Sequence, residues 1–275
     1  MHITDILNFY EEVKDDLKSQ STSSVRTKIM ISLSEGPKKT KDLNKLTGMR
    51  SSTILHGINE LEKQELVLRE GDSFFLSEIG EIMALKLIDM IRTSVSLKKI
   101  QKLLFNHRIE DIPQELLMNI GDLSNSKLIE ADNIDIFKVH GTHIQILLDS
   151  KEIKGVSPIF YPQYIETFNI ITNKNINVEL ILTEAILKKT IESLDSEGLA
   201  EFKKLLSENK LKIWEIKEDI KVAFTVTDKF MTMGFFLING LYDSTKNLVS
   251  DHDDAITWGN KLFEYYRNQS NKVTL

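Results

Sequence analysis

The sequence contains no cysteine, only four prolines and no long run of apolar residues. Without cysteine the chain has no disulfide, no thiolate zinc site and no thiol nucleophile. No stretch approaches the ~20 continuous apolar residues of a membrane-spanning helix. The N-terminus, MHITDILNFYEEVKDDLKSQ, is acidic and amphipathic, unlike a signal peptide. We therefore expect a cytoplasmic protein that does not associate with membranes.

The remaining composition is typical of a soluble globular chain, and 275 residues favour about two domains. The net charge of −6 argues against a nucleic-acid contact over the whole surface. Residues 22–70, however, hold nine Lys and Arg against six Asp and Glu. This local excess of positive charge favours a small DNA-reading module attached to a larger domain that does not contact DNA.

Three helices are predicted in this basic region. Val25, Ile29 and Leu33 share one face of a first helix, which Gly36 and Pro37 end. A short second helix is expected to have Thr40 as its N-cap and Gly48 as its left-handed C-terminal residue. The third helix covers 51–64. Its inward stripe is Ile54, Leu55, Ile58 and Leu61, and its outward face is Ser52, His56, Asn59 and Lys63.

A β-hairpin is predicted next, because LVLRE and SFFLS flank Gly71-Asp72. Three helices and a hairpin in this order predict a winged helix-turn-helix, although a plain surface helix with polar residues would give the same third helix.

Residues 39–80 resemble winged-helix repressors of the ArsR type. The resemblance implies that the third helix enters the DNA major groove. The implied DNA contacts are Arg50, Ser51, Ser52, Thr53, His56 and Asn59 for reading bases, Arg69 at the wing, and Lys38, Lys39 and Lys41 for phosphates. Metal sensing is not implied, since ArsR metal sensors use cysteine there.

A long helix is predicted from Glu78 to about Asn106, with more apolar residues than one small hairpin can cover. It either pairs with the same helix of a second copy, which would hold two reading helices one DNA turn apart, or packs on the C-terminal half of its own chain. After Ile112-Pro113 the pattern predicts one or two short helices.

From about residue 134 strands alternate with helices. We predict helix 143–152, a strand at IKGVSPIF, helix 161–175, a strand at INVELILT, two helices, and a strand at LKIWEI. This alternation predicts an α/β domain with a mixed, mostly parallel sheet. KVAFTVTD and FMTMGFFLI add an antiparallel part with a turn at Asn239-Gly240. A last helix, 253–269, carries Trp258, Leu262, Tyr265 and Tyr266 on one face.

This order resembles a phospholipase D-like half-domain, which is also the sensor domain of TrmB-type archaeal sugar regulators. The enzymes of that fold carry His-x-Lys-x4-Asp. Asp228 matches the Asp, but Lys221 stands at the nucleophile position and Ala223 at the Lys position. We therefore expect no catalytic residue and no enzyme activity.

Several segments between about residues 120 and 270, including GVSPIFYPQYIETF and FTVTDKFMTMGFFLINGLYDSTKNLVS, resemble methanogen regulators of the FilR type. The resemblance implies an archaeal transcriptional regulator that binds a small metabolite. Open α/β sheets bind ligands beyond the carboxyl ends of their strands. That rule selects Ser157, Tyr161, Thr183 and Glu184, with Trp258 as a wall or as plain core. His140 and His143 are three residues apart, but with no cysteine and no acidic neighbour beyond Asp135 we expect no metal and no cofactor.

Together these expectations describe a winged helix-turn-helix over 1–77, linker and dimerisation helices over 78–130, and an effector-sensing α/β domain over 131–275. The leading hypothesis is a dimeric regulator that binds double-stranded DNA and senses an unknown small molecule. Two alternatives remain at this point. One is an enzyme acting on phosphodiesters, with the winged helix as a docking module. The other is a DNA-binding protein whose C-terminal domain only dimerises.

Overall fold

The computed structural model describes residues 2–161, 170–171 and 176–274. Two compact units divide the chain, Met1–Ile91 and Arg92–Leu275. Within the described ranges, no helix is both long and apolar enough to cross a membrane.

The N-terminal unit contains a three-stranded antiparallel sheet, in the order β1-β3-β2, and four helices before the long helix α5. Its elements are α1 (Ile3–Thr22), α2 (Ser24–Leu33), β1 (Lys38–Lys39), α3 (Thr40–Thr47), α4 (Ser51–Lys63), β2 (Val67–Glu70), β3 (Ser73–Leu76) and the start of α5 (Glu78–Leu104). The three predicted helices, the hairpin and the long helix are confirmed. The two-residue strand β1, which pairs with β3, was not predicted.

The core of this unit lies between α2, α3 and α4, where Ile29, Leu43 and Ile58 are fully buried. The prediction for Leu55 was wrong, because its side chain is 38% exposed. Gly57 takes the inward place instead. A Cβ added to Gly57 would lie 2.7 Å from Cγ1 of Val25, so only glycine lets α2 approach this closely.

The sequence prediction was right for the C-terminal end of α3 and wrong for its N-terminal end. Gly48 ends the helix in the left-handed conformation, with φ +71°, as predicted. Thr40 is not the N-cap, because the helix begins there. Instead a carboxylate oxygen of Asp42 accepts the backbone N–H of Lys39 at 3.2 Å. An acidic side chain in the first turn thus replaces the expected hydroxyl cap.

The C-terminal unit is built on one eight-stranded sheet. After α5 its elements are α6 (Gln114–Met118), a 3-10 turn (Ile120–Leu123), β4 (Lys127–Glu130), α7 (Lys138–Leu148), β5 (Glu152–Ser157), β6 (Asn177–Thr183), α8 (Glu184–Glu192), α9 (Ser196–Ser207), β7 (Leu211–Ile216), β8 (Val222–Thr227), β9 (Met231–Phe235), β10 (Lys246–Ser250), α10 (Asp253–Arg267) and β11 (Asn271–Lys272). The helix predicted over 161–175 falls, apart from three residues, outside the described residues.

The strand order is β11-β7-β6-β5-β8-β9-β10-β4. Among the described strands, parallel pairing is confined to β5-β6 and β6-β7, and the other five pairings are antiparallel. The prediction of a mostly parallel sheet was therefore wrong. Parallel neighbours need a crossover connection, usually a helix. Strands β8, β9 and β10 follow one another without a helix and extend the sheet as an antiparallel meander.

Successive side chains along each strand point to opposite faces of this sheet, as the pleat requires. In β6, Ile181 faces the core that contains Trp258, Leu262 and Phe263 of α10, all three of which are fully buried. Val178 of the same strand belongs to a second core, shared with α8 and α9. Tyr265 was predicted to point inward with Tyr266, but it is 43% exposed.

Candidate DNA-contacting surface and ligand cavity

The outward face of α4 is polar and exposed. At about 100° per residue, Ser52, His56 and Asn59 lie on the side of the helix opposite the buried Ile54, Gly57, Ile58 and Leu61. All three are exposed. Arg50 precedes the helix with an extended backbone and is exposed as well. Short donors and acceptors beside a cation are the side-chain types that reach base edges and phosphates.

The turn that leads into α4 is held by Asn44, which the sequence did not single out. Its amide nitrogen donates to the carbonyl of Met49 at 2.6 Å. Its amide oxygen accepts from the hydroxyl of Ser51 at 3.1 Å. Ser51 therefore orients the start of the helix in addition to lying on its exposed surface. Thr53 is exposed on the flank of α4.

The predicted phosphate-contacting cations lie on and beside the small sheet. Lys38 pairs with Phe74 across β1 and β3, and Phe74 pairs with Arg69 across β3 and β2, so Lys38 and Arg69 share one row. Lys39 and Lys41 are exposed, whereas Lys38 is half-buried beside Glu35, 3.6 Å away. Arg69 donates to both carboxylate oxygens of Glu62, at 3.2 and 3.4 Å, and stacks on Phe74. Arg69 thus links the hairpin to the end of α4.

A cavity of about 190 Å³ lies against one face of the large sheet. Its floor is made of small side chains, because Gly155, Thr225 and Thr232 pair across β5, β8 and β9. Ala223 pairs with Gly234 in the next row. Since Leu248 pairs with Met233, Asn247 lies opposite Gly234. Small residues at these alternate positions leave the space that larger side chains would fill.

One end of the cavity is apolar. It lies over β6 and β7, beneath α8 and α9, and its walls include Leu180, Leu182, Ile186, Phe202, Leu205 and Ile213. Most of these residues are also members or neighbours of the second hydrophobic core. The cavity is therefore a gap within that core and favours an apolar occupant.

The other end is polar, and α7 supplies two histidines to it. Nδ1 of His143 lies 3.3 Å from the hydroxyl of Thr232. The ring of His140 stacks on Tyr161, with centroids 4.9 Å apart. Burial lowers the pKa of His143 to about 4, and repulsion from His140 adds to the shift. Burial also lowers the pKa of His140. Both imidazoles are therefore neutral near pH 7.

Tyr242 closes this polar end above Gly234. A Cβ on Gly234 would lie 2.1 Å from the phenol oxygen of Tyr242, so glycine is required for the ring to sit there. Burial raises the pKa of Tyr242 above its usual value, with the nearby Tyr161 and Asp243 adding to the rise. The phenol is therefore a neutral hydrogen-bonding group.

Asn247 has the clearest unmet hydrogen-bonding capacity in the cavity. It is 7% exposed, and within the described part of the chain its Oδ1 has no hydrogen-bond partner. A buried acceptor left unsatisfied costs about 1–3 kcal/mol. Such a group calls for an explanation, and a bound molecule that donates to it is one.

The ligand residues predicted from the sequence separate into two groups. Ser157 and Tyr161 line the cavity, and the hydroxyl of Ser157 donates to the carbonyl of Ile159 at 2.8 Å. Thr183, Glu184 and Trp258 are not among the lining residues. Trp258 is fully buried and its indole N–H donates to the carbonyl of Leu116 at 2.9 Å, which is the plain core alternative.

Sequence reasoning missed Thr232, Tyr242 and Asn247. A signal for the floor was available, because small residues occupy every second position in VAFTVT and MTMGF. The rule that ligands bind beyond the carboxyl ends of parallel strands located only part of the cavity, since the cavity extends across antiparallel strands as well.

Other polar residues considered in the sequence have structural partners. Asp228, the match to the phospholipase D-like pattern, accepts the backbone N–H groups of Lys151 at 2.8 Å and Glu152 at 3.5 Å, at the start of β5. Lys221 pairs with Asp219 at 2.6 Å. No group of three or more His, Asp or Glu is arranged to hold a metal ion within the described ranges.

Comparison with known sequences identifies two matching domain families. The family described as the middle domain of methanogenesis regulatory protein FilR1 matches residues 136–269, and that of the N-terminal domain of the same protein matches residues 14–95. The methanogenesis regulatory protein FilR1 of Methanothrix harundinacea (strain 6Ac) is 26% identical over 258 residues, or 94% of this chain. The chain spans 58% of that relative's length. These matches confirm the resemblance to FilR-type regulators.

Comparison with solved structures gives lower similarity. The archaeal chromatin protein TrmBL2, described as showing a novel mode of DNA binding, has a TM-score of 0.43 and 12% identity, covering 94% of this chain and 98% of that one. Phosphatidylserine synthase of Haemophilus influenzae Rd KW20 has a TM-score of 0.39 and 10% identity, covering 54% and 40%. At these scores neither structure supports a conclusion about this chain. The ArsR-like and phospholipase D-like resemblances stay predictions.

Proposed function

From its matches to both FilR1 domains we infer that the chain is a DNA-binding transcriptional regulator. The N-terminal residues 1–77 would act as a winged helix-turn-helix that reads DNA, and residues 131–275 would bind a small effector. The observation that carries the DNA-binding role is the exposed polar face of α4 opposite the core of its unit.

The proposed reading of DNA follows from that face. Ser52, His56 and Asn59 would contact base edges in the major groove, with Arg50 at the start of the helix. Lys39 and Lys41 are exposed and would contact phosphates. Arg69 would reach the backbone beside the hairpin after exchanging one of its bonds to Glu62.

The test is DNA binding by the Arg50→Ala and His56→Ala double variant. DNA selected by the wild-type protein from a random pool serves as the operator, and fluorescence anisotropy gives the affinity. The double variant should bind at least about 30-fold more weakly, since each of the two contacts contributes about 1–3 kcal/mol. Its thermal melt should match wild type because both side chains are exposed.

The matched control is Lys28→Ala, which removes an exposed positive charge from α2 of the same unit. It should change operator affinity by no more than about twofold, because it lies outside the proposed contacts. Wild-type affinity should fall steeply with salt as phosphate contacts release counterions. Unchanged affinity in the double variant would remove the groove assignment.

We also propose that the protein acts as a dimer, in which a second copy covers apolar residues that the N-terminal unit leaves exposed. On α1 these recur every three or four residues, as in Ile3, Leu7 and Tyr10, which are 74%, 59% and 51% exposed. On α5, Ile79, Ile82 and Leu85 are 58%, 61% and 64% exposed. Contiguous apolar patches of this kind are uncommon on monomers. A two-fold dimer would also present two reading helices to a palindrome.

The effector role rests on the cavity in the C-terminal unit. It is concave, mostly apolar and edged by a few hydrogen-bonding groups, which is the usual character of a small-molecule site. We propose that its occupant changes operator affinity. The curated relative is a regulatory protein, and we propose no enzyme activity.

A further inference from the structure

The cavity in the C-terminal unit is nearly free of charge. Among the described residues that line it, Glu201 is the single Asp, Glu, Lys or Arg. Glu201 is exposed, and its carboxylate lies 3.2 Å from Nζ of Lys204. The described part of the lining thus offers no cation to a phosphate or a carboxylate. An anion placed there would lose its hydration without gaining a partner, which is strongly unfavourable.

The polar end is built from neutral groups. Thr225, Thr232 and Tyr242 offer hydroxyls, and the lowered pKa values of His140 and His143 keep those rings uncharged near pH 7. A cationic ligand would find no carboxylate at this end among the described residues. An occupant that matches it must be neutral and must form hydrogen bonds.

Asn247 adds a direction to that requirement. Its buried Oδ1 accepts no hydrogen bond from any described residue, and Ala223 and Gly234 beside it keep the floor low. Tyr242 fills the space above Gly234, so a molecule at this end would reach Asn247 with an O–H or an N–H group from beside that ring. The bond would satisfy the acceptor that the fold leaves unpaired.

The apolar end of the cavity determines what the rest of the ligand must be. Leu180, Leu182 and Ile213 form its floor and Phe202 and Leu205 its roof. The volume of about 190 Å³ exceeds the ~150 Å³ of an engineered apolar cavity that binds benzene. A single ring with a short chain therefore fits.

We propose that this cavity binds an uncharged amphipathic molecule, with a hydroxyl or N–H group that donates to Oδ1 of Asn247 and an apolar ring or chain that extends from there across β8 and β5 towards the apolar end. This inference names the ligand class of the sensing site and rests on the proposed function for its biological role. The ligand binding itself can be measured without DNA.

The test uses three matched probes: 4-propylphenol, its methyl ether 4-propylanisole, and 4-propylbenzoate. Isothermal titration calorimetry on the full chain gives the affinities at pH 7.5. The phenol should bind most tightly. The ether cannot donate and should bind about 3- to 10-fold more weakly. The benzoate should bind at least about 100-fold more weakly, because its charge would be buried without a partner.

Asn247→Leu should reduce phenol affinity to that of the ether and leave the ether unaffected. The matched control is Ser126→Ala, which removes another buried hydroxyl that has no hydrogen-bond partner among the described residues, at a position outside the cavity lining. Its three affinities should equal those of wild type. If Asn247→Leu does not fold, Ala223→Leu serves instead, since it fills the floor and should abolish binding of both neutral probes.

Two results would overturn the inference: benzoate binding as tightly as the phenol, or no binding of either neutral probe. Operator binding measured on the same preparations separates this failure from failure of the proposed function. A protein that binds its operator but neither neutral probe keeps the regulator assignment and loses the ligand class. A protein that binds the phenol selectively but no DNA loses the regulator assignment and keeps the ligand class.

Discussion

His143 couples the chemistry of the cavity to the stability of the C-terminal unit. Its pKa is about 4 in the folded protein, well below the usual 6.5, because burial and His140 disfavour the imidazolium. Between these two values the unfolded chain binds more protons than the folded one, so unfolding becomes easier as pH falls. The contribution is complete above about pH 6.5 and is lost towards pH 4.

His143→Gln should therefore make the C-terminal unit less sensitive to acid. Between pH 7 and pH 5 the free energy of unfolding of the variant should fall by about 1 to 2 kcal/mol less than that of wild type. Urea unfolding followed by tryptophan fluorescence is the measurement, because Trp214 and Trp258 both lie in this unit.

The control for this prediction is His252→Asn. His252 is an exposed N-cap residue of α10 in the same unit, and asparagine retains the capping role. This variant should keep the pH dependence of wild type. Equal pH dependence in His143→Gln and wild type would show that His143 does not carry the effect.

Other residues differ in how far the sequence could predict them. Gly48 was predictable, since its left-handed conformation follows from local chain geometry. Gly57 was not, because its role depends on Val25 of another helix, 2.7 Å from where its Cβ would be. Asn247 was also hidden. Its importance comes from the absence of a hydrogen-bond partner for its Oδ1 among the described residues, which is a property of the folded surroundings.

At the scale of elements, periodicity predicted the helices better than the sheet. The long apolar pattern of α5 and the amphipathic pattern of α10 gave their positions to within two residues. The sheet depends on which strands pair, and local periodicity does not carry that information. Strand β4 was predicted as part of a short helical segment, because KLIE is too short and too exposed to show alternation.

The exposed apolar residues of α5 give a prediction about assembly. Ile82→Glu combined with Leu85→Glu should convert the dimer into a monomer, because two carboxylates would be buried in the contact without partners. Sedimentation equilibrium measures the change in mass. A stable dimer buries at least about 1,000 Å² in total, so the helices α1 and α5 are expected to contribute together.

The control is Leu68→Glu, which introduces the same charge at an exposed leucine of β2 in the same unit. It should remain dimeric. A dimer that survives both changes in α5 would remove this helix from the interface. Wild-type protein that sediments as a monomer would contradict the dimer proposal as a whole.

At the scale of the whole molecule, the two proposed sites belong to different units. The DNA-contacting surface lies in Met1–Ile91 and the cavity in Arg92–Leu275, and helix α5 continues from one unit into the other. A ligand changes DNA affinity only if it binds two states of the protein unequally. We propose that α5 is the element that differs between these states.

This mechanism predicts a reciprocal coupling between the two sites. Saturating 4-propylphenol should change operator affinity by about 5- to 150-fold, the usual range of allosteric coupling, and operator DNA should change the affinity for the phenol by the same factor. Anisotropy titrations with and without the phenol measure the first factor, and calorimetry with and without DNA measures the second.

Asn247→Leu should keep operator affinity and weaken the response at equal phenol concentration. Equal operator affinity at saturating phenol would mean that occupancy of the cavity does not bias α5. The C-terminal unit would then not act as a sensor of this molecule.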